Sequence, residues 1–356
     1  MRYERFRDNV KLSKLGLGAM RLPQTEPGFA GPIDESKARE MIDYCMQHGV
    51  NYYDTAYIYQ GGKSEAVLGR ALSKYPRDSF YMADKFNVQA NPDYEAQFSE
   101  QLNRLQTEYI DFYLLHGITD LTAGDYEAKK NCWDFVQIQL NYYDWYQGTA
   151  KRQYEILKEQ GIPVMVMEPV HGGMLAGLPE ECLRLLPETG VSPAAWALRF
   201  VMNLPGVAVV LSGMSDMRQT EENIETAASG YGLADEELSK LEKISRVLRR
   251  KIAVPCTGCR YCCDNCPQGL DIPSLLAAYN DYRDEAAASG NSDMAIWRLL
   301  RLKALPEENI LSLFPVLYYN GNREINTISG GDYAKENRYS QSTDHRIRPD
   351  HHRTGM

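Results

Sequence analysis

Two groups of residues in this 356-residue sequence are of types that do chemistry. The first is a carboxylate, a phenol, an ammonium and an imidazole: Asp54, Tyr59, Lys85 and His116. Each falls at, or just beyond, the end of a strand-like stretch. One polar residue ending a strand is commonplace, whereas four at consecutive strand ends form a pattern expected of an active site on a barrel. The second group is a run of cysteines. Cys45, Cys132 and Cys182 are scattered, but Cys256, Cys259, Cys262, Cys263 and Cys266 crowd into one short stretch. Disulfide frameworks spread their cysteines along small secreted chains, so this crowding reads as a metal site. The spacing Cys256-x-x-Cys259-x-x-Cys262-x-x-x-Cys266-Pro267 lets several thiolates converge on one iron–sulfur cluster, with Pro267 turning the chain away. Cys263 is then a spectator. A structural zinc site is the alternative, although zinc motifs usually pair two Cys-x-x-Cys units across a longer spacer.

Elements that could position these residues alternate along the chain. Strand-type segments are expected at Val10 to Leu22, Asn51 to Tyr57, Phe80 to Asp84, Ile110 to Leu115, Phe135 to Leu140, Ile162 to Met167 and Val207 to Ser212. Helices are expected between them. Glu35 to His48 places Ala38, Met41, Ile42, Cys45 and Met46 at helical spacing and stops at Gly49. Further helices are predicted at Ser64 to Ser73, Tyr94 to Thr107, Lys151 to Gln160, Pro193 to Met202 and Glu221 to Ala228. Such alternation predicts a parallel sheet wrapped by helices, a TIM-type barrel with its chemistry at the C-terminal ends of the strands.

Composition narrows the class. At 44% apolar, the chain can build one large barrel with a small appendage. A net charge of −9 argues against a nucleic-acid partner, which calls for a basic surface. The charged opening Met1-Arg2-Tyr3-Glu4-Arg5 is unlike a secretory leader, and no apolar run of about 18 residues could span a bilayer. A soluble, cytoplasmic protein without membrane partners is the expectation. Residues 331–356 are polar and rich in charge, and are read as a disordered tail in which His345, His351 and His352 are solvated.

The segment Gly-Val-Asn-Tyr-Tyr-Asp-Thr-Ala-x-x-Tyr, Gly49 to Tyr59, resembles the signature of the aldo-keto reductase family. Leu-Gly-Leu-Gly-Ala-Met-Arg-Leu-Pro, Leu15 to Pro23, and Tyr-Leu-Leu-His, Tyr113 to His116, resemble it too. The similarity covers roughly residues 1–116 and 133–230, and the cysteine run is similar to that of bacterial ferredoxins. The resemblance implies that Tyr59 is the general acid, that Lys85 and Asp54 form the ion pair that tunes it, and that His116 orients the substrate carbonyl. Tyr57 is a rival for Tyr59, but the spacing favours Tyr59. The residue types suit hydride addition to a carbonyl, which leaves an alkoxide in need of a proton. A free tyrosine, with a pKa of about 10, holds its proton too tightly. A nearby ammonium stabilises the phenolate, and a carboxylate keeps that ammonium charged in a dry pocket. For NADP(H), the resemblance implies Gly18, Ala19 and Met20 near the nicotinamide and Gln137 on its carboxamide. It implies Ser212, Gly213, Met214, Ser215, Arg218, Gln219, Glu222 and Asn223 around the adenosine end, with Arg218 or Ser215 for a 2′-phosphate. His171, at another strand end, is a further candidate for the pocket wall.

The chain departs from this family at one point. Only 16 residues, Gly117 to Cys132, separate His116 from Trp133. In the family this interval holds a helix, the fifth strand and another helix. One short helix fits, at Asp125 to Cys132, because a crossover alone takes about ten to twelve residues. The expectation is therefore a barrel lacking its fifth strand unit and the nicotinamide contact at that strand's end. No cysteine follows Cys266, so a second cluster motif is missing as well. The expected domains are a barrel over 1–245, an α-helical ferredoxin-like 4Fe-4S region over 246–330, and the tail. The expected function is NAD(P)H-dependent interconversion of a small aldehyde or ketone with its alcohol, with a cluster serving an electron-transfer partner or the fold. The alternative is an electron-carrying or redox-sensing protein whose barrel has lost catalysis.

Overall fold

The computed structural model describes residues 1–289 apart from 8–9, 27–30, 119–132, 188, 231, 259, 265 and 267–268. The expected helix at Asp125 to Cys132, the candidate ligand Cys259 and the tail at 331–356 lie outside the described residues.

The chain opens with a hairpin, β1 (Tyr3–Arg5) and β2 (Lys11–Ser13), paired antiparallel with Tyr3 opposite Ser13. Strand β3 (Leu15–Gly18) follows and leads to helix α1 (Glu35–Gln47). The Asp34 side chain caps α1 by accepting from the Lys37 N–H at 3.2 Å. Then come β4 (Tyr52–Asp54), α2 (Lys63–Leu72), β5 (Tyr81–Phe86), α3 (Tyr94–Leu105) and β6 (Phe112–Leu115). After the short interval the chain continues with β7 (Val136–Gln139), α4 (Tyr142–Gln147), α5 (Ala150–Glu159), β8 (Val164–Met167), α6 (Glu180–Leu183), α7 (Pro193–Met202) and β9 (Val207–Ser212). Helices α8 (Met217–Ser229), α9 (Asp235–Lys251), α10 (Tyr261–Asp264) and α11 (Ile272–Ser289) complete the described part.

Seven strands form one curled parallel sheet in the order β6-β5-β4-β3-β9-β8-β7. These are the seven strands that the sequence predicts. All six residues of β9 are buried, as suits a parallel strand covered on both faces. Gly16 has a packing role: a Cβ there would stand 2.8 Å from the Leu211 side chain and 2.9 Å from that of Val209. Outside the sheet, α1, α2, α7 and α8 bury Met41, Ile42, Leu68, Trp196, Phe200 and Ile224. Helix α9 joins the same core through Leu241, Ile244 and Leu248.

The edges of the sheet, β6 and β7, are the strands on either side of the short interval. Between them, inside the curl, aromatic rings take up the space. Phe112 of β6 meets Phe135 at a centroid distance of 5.4 Å, and Phe6 from the hairpin loop touches both, at 5.4 and 6.3 Å. Arg7 adds an ion pair to Asp134. The hairpin thus covers the N-terminal end of the sheet, fixed by the buried Lys14 ammonium, which donates to Val207 O at 2.5 Å and to Glu4 at 3.1 Å. The opposite end, where the strands finish, carries the polar residues.

Candidate active site

Strand register brings the four polar residues together. Asp54 is the last residue of β4, level with Gly18 on β3 and Ala83 on β5. Lys85 lies inside β5 rather than at its end, because that strand runs to Phe86. His116 follows β6 directly, its N–H bonded to Phe86 O at 2.8 Å. Tyr59 opens a short 3-10 turn after β4. The Lys85 ammonium donates to Asp54 Oδ1 at 2.6 Å and to Thr55 O at 2.5 Å, with both partners almost wholly buried. It stands 5.0 Å from the centre of the Tyr59 ring. His116 meets the same ring edge-on, with centroids 5.7 Å apart. Tyr57 is elsewhere: its hydroxyl donates to Glu100 at 2.7 Å, and Arg104 stacks on its ring.

Burial sets the charges here. It lifts the Asp54 carboxyl above its ordinary range, against the pull of Lys85. It depresses the His116 imidazole to about 3, and the Lys85 ammonium pushes the same way. His116 is therefore neutral at physiological pH, as suits a hydrogen-bonding group beside a carbonyl oxygen rather than a strong acid. A phenol over an ammonium with a neutral imidazole at its edge is a proton-donating arrangement.

Of these four, Asp54 and Tyr59 open on a cleft of about 350 Å³ at the strand ends, while Lys85 and His116 stand behind its wall. Its wall includes Asp54, Tyr59 and ten of the twelve residues that the family resemblance assigns to a dinucleotide: Gly18, Met20, Gln137, Ser212, Gly213, Ser215, Arg218, Gln219, Glu222 and Asn223. The other two, Ala19 and Met214, are fully buried in the core and do not line it. The Gln137 amide donates weakly to Met167 Sδ at 3.6 Å, and its Oε1 is buried without a hydrogen-bond partner among the described residues. An acceptor left in this way calls for a ligand N–H, so the cleft fits a carboxamide-bearing group. Asp216 caps α8, which starts at Met217 rather than at the expected Glu221. Arg218 is exposed at that N-terminus, 4.0 Å from Glu222, where an anion would be welcome.

Cleft residues that the sequence does not point to include Arg21, Glu168, Pro169 and the pair Gly172 and Gly173. Arg21 follows directly on the assigned Gly18–Met20 stretch, so its position offered a signal. The loop after β8 offered the glycine pair. His171, though flanked by wall residues, is itself buried, with Nδ1 3.1 Å from Asp144 and 3.3 Å from Asn141.

Among the cysteines, Cys256, Cys263 and Cys266 are half-buried, Cys262 is exposed, and Cys259 lies outside the described residues. Among the described residues no three Cys, His, Asp or Glu side chains converge as a metal site. Backbone N–H groups do approach two of the sulfurs: Gly258 to Cys256 Sγ at 3.4 Å and Leu270 to Cys266 Sγ at 3.5 Å. Such donors suit thiolates.

Comparison with known proteins places the chain in a family. The pattern of the aldo/keto reductase family matches residues 14–128 and 117–246, two stretches that overlap in the shortened interval. An uncharacterized oxidoreductase of Bacillus subtilis is 24% identical over 298 residues, covering 66% of this chain and 93% of its own length. L-galactose dehydrogenase of Arabidopsis thaliana is 26% identical over 294 residues, 66% of this chain and 91% of that protein. The holo form of an aldo-keto reductase from Bacillus halodurans superposes with a TM-score of 0.56 at 26% identity, covering 68% of this chain and 96% of that one. An aldo/keto reductase of Klebsiella pneumoniae, solved with NADP and acetate, shares the fold at 21% identity and a TM-score of 0.55, covering 68% of this chain and 95% of that one. With a curled parallel sheet, a family match over most of its length and oxidoreductases among its relatives, the chain is an enzyme that belongs to the aldo/keto reductase family.

Proposed function

We propose that this enzyme interconverts a small aldehyde or ketone with its alcohol, using NADP(H). The observation that supports this most is the buried Lys85–Asp54 pair held 5.0 Å from the Tyr59 ring, with His116 across that ring, beside the cleft that Asp54 and Tyr59 line. The nicotinamide supplies or accepts the hydride when bound. Tyr59 gives a proton to the carbonyl oxygen in reduction and takes it back in oxidation. Lys85 stabilises the phenolate that remains, and Asp54 balances the ammonium where water is excluded. His116, neutral, donates to the oxygen as charge gathers on it. Gln137 Oε1 is suited to the carboxamide N–H, and Arg218 with Ser215 to a 2′-phosphate. The solved Klebsiella relative with NADP supports the choice of cofactor. Titration of the protein with NADPH, followed by nucleotide fluorescence, tests the reading. Saturable binding with carbonyl-dependent NADPH oxidation is expected, and binding without turnover on any aldehyde or ketone would favour the electron-carrying alternative.

The same reading gives the barrel seven strands in place of eight and gives Cys256, Cys259, Cys262 and Cys266 one 4Fe-4S cluster with an electron-transfer partner. Thiolate ligands need a reducing compartment, so we propose the cytoplasm. Among the described residues no helix is long and apolar enough to cross a membrane. Protein purified without oxygen should be brown with about four irons per chain. Cys259→Ser should remove the colour and Cys263→Ser should not; colourless protein with stoichiometric zinc would overturn the cluster.

A further inference from the structure

The cysteine segment touches the wall of the cofactor cleft, and one arginine makes the connection. The Arg21 stem runs beside the loop after β9, with its Cβ, Cγ and Cδ within 3.4 Å of where a Gly213 Cβ would lie. Its Nη2 donates to the Thr257 carbonyl at 2.9 Å, and Nη2 is also 3.9 Å from Glu168 Oε1. Arg21 and Glu168 both line the cleft. Beside them the backbones meet directly. Gly172 has φ +66°, and a Cβ at that position would fall 1.8 Å from Thr257 O and 2.4 Å from Thr257 C, so a residue with a side chain cannot pack there without displacing the segment. Glu168, at φ +54°, accepts from the Gly172 N–H and fixes that loop from within. On its other side the segment is held by α11: Asn280 accepts from Val254 N–H at 2.9 Å and donates to Val254 O at 2.8 Å. Cys256 is therefore strung between α11 and the cofactor cleft, one residue from the carbonyl that Arg21 binds.

We propose that Arg21 is a positioning residue that couples the two: it holds the Cys256–Gly258 backbone on the loop of residues 168–173, so that a dinucleotide in the cleft and order in the cysteine segment stabilise each other. The guanidinium carries five N–H donors in a fixed fork, so it can serve a phosphate oxygen in the cleft while keeping Thr257 O. A ligand anion there holds Arg21 in place, and Arg21 holds the segment. Coupling of this kind is reciprocal, so whatever orders the cysteines also tightens the cleft. The proposal rests on the dinucleotide reading above and adds to it a link that neither site has alone.

Hydrogen exchange of the full chain, purified without oxygen, tests it, read on the peptide spanning residues 252–258 with and without saturating NADPH. Binding is followed separately by nucleotide fluorescence. In the wild type, exchange should slow by about fivefold or more on NADPH saturation. In Arg21→Met, NADPH should still saturate at higher concentration, but the slowing should vanish. Arg21→Lys should restore part of it. Gly172→Ala, which pushes the segment away from the other side, should raise exchange in 252–258 even without NADPH. Saturation of the wild type with no change in exchange overturns the coupling while leaving the dinucleotide reading intact. Full protection in Arg21→Met also overturns it. A wild type that fails to bind NADPH at all brings down the reading and the coupling together.

Discussion

Replacing Lys85 by methionine should separate the stability contribution of the buried ion pair from the catalytic role proposed for it. Methionine keeps most of the lysine stem but leaves the Asp54 carboxylate without the ammonium now 2.6 Å away. Both side chains are almost wholly buried, so solvent screens little of the loss. Removing one partner of such a pair typically costs about 3–5 kcal/mol, which for a domain of this size lowers the melting temperature by roughly 10 °C. The deficit should depend on pH. Burial already raises the Asp54 carboxyl, and without Lys85 nothing in the pair opposes that rise. A carboxyl with a raised folded-state pKa destabilises above its unfolded value and relaxes as it takes up a proton. The Lys85→Met deficit should therefore shrink as the pH falls from 7 toward 4. Adding Asp54→Asn removes the stranded charge, so the double variant should recover most of the lost stability at pH 7. It should not recover activity, since the Tyr59 phenolate still lacks its cation. Urea denaturation and NADPH-dependent carbonyl reduction measure the two effects. Recovery of turnover in the double variant, or a single variant as stable as the wild type, would refute the reasoning.

Further predictions follow from the same site and its supports. Tyr59→Phe keeps the ring and removes the proton, so turnover should fall about a hundredfold or more with little change in NADPH affinity by fluorescence titration. Because burial depresses His116 to about 3, its neutral form is favoured by folding, and stability should be lost as the pH drops below the unfolded value of about 6.5 toward 3. His116→Gln should flatten that part of a urea-midpoint-against-pH curve. Phe112→Ala opens a hole among Phe6, Tyr52 and Phe135, and should cost about 3–5 kcal/mol in urea denaturation while leaving the tetrad chemistry in place. If the fifth-strand contact to the nicotinamide is missing, NADPH should bind more weakly than in an eight-stranded relative by roughly 1–3 kcal/mol, measured by the same titration on both proteins.

Much of this site is legible in the sequence because parallel barrels write it there. Strands buried on both faces, such as Val207–Ser212, appear as continuous apolar runs, and their ends are marked by the first polar residue. That is why the residue pattern alone locates Asp54 and His116. In β5 the first polar residue is Asp84, and Lys85 follows it, one position inside the end of the strand. The hairpin is only half legible: β1, with three residues, carries too little pattern, and β2 lies inside the single expected Val10 to Leu22 segment, undivided from β3. Helix α9 escapes notice because its surface is dense with charge, and only Leu241, Ile244 and Leu248 reveal the buried stripe. Ala19 and Met214 show the limit of motif transfer. They sit in segments that line the cleft, yet their side chains point into the core. The contact between Arg21 and Thr257 joins residues 236 positions apart through a backbone carbonyl, which no side-chain pattern records.

Transfer of deuterium from NADPH carrying deuterium at both nicotinamide C4 positions tests hydride delivery in single turnover, read by mass spectrometry across a set of small aldehydes and ketones. One deuterium is expected on the carbinol carbon of the alcohol formed, with the label absent when Tyr59→Phe is assayed over the same interval. Unlabelled product, or no alcohol from any carbonyl although NADPH is bound, would contradict it.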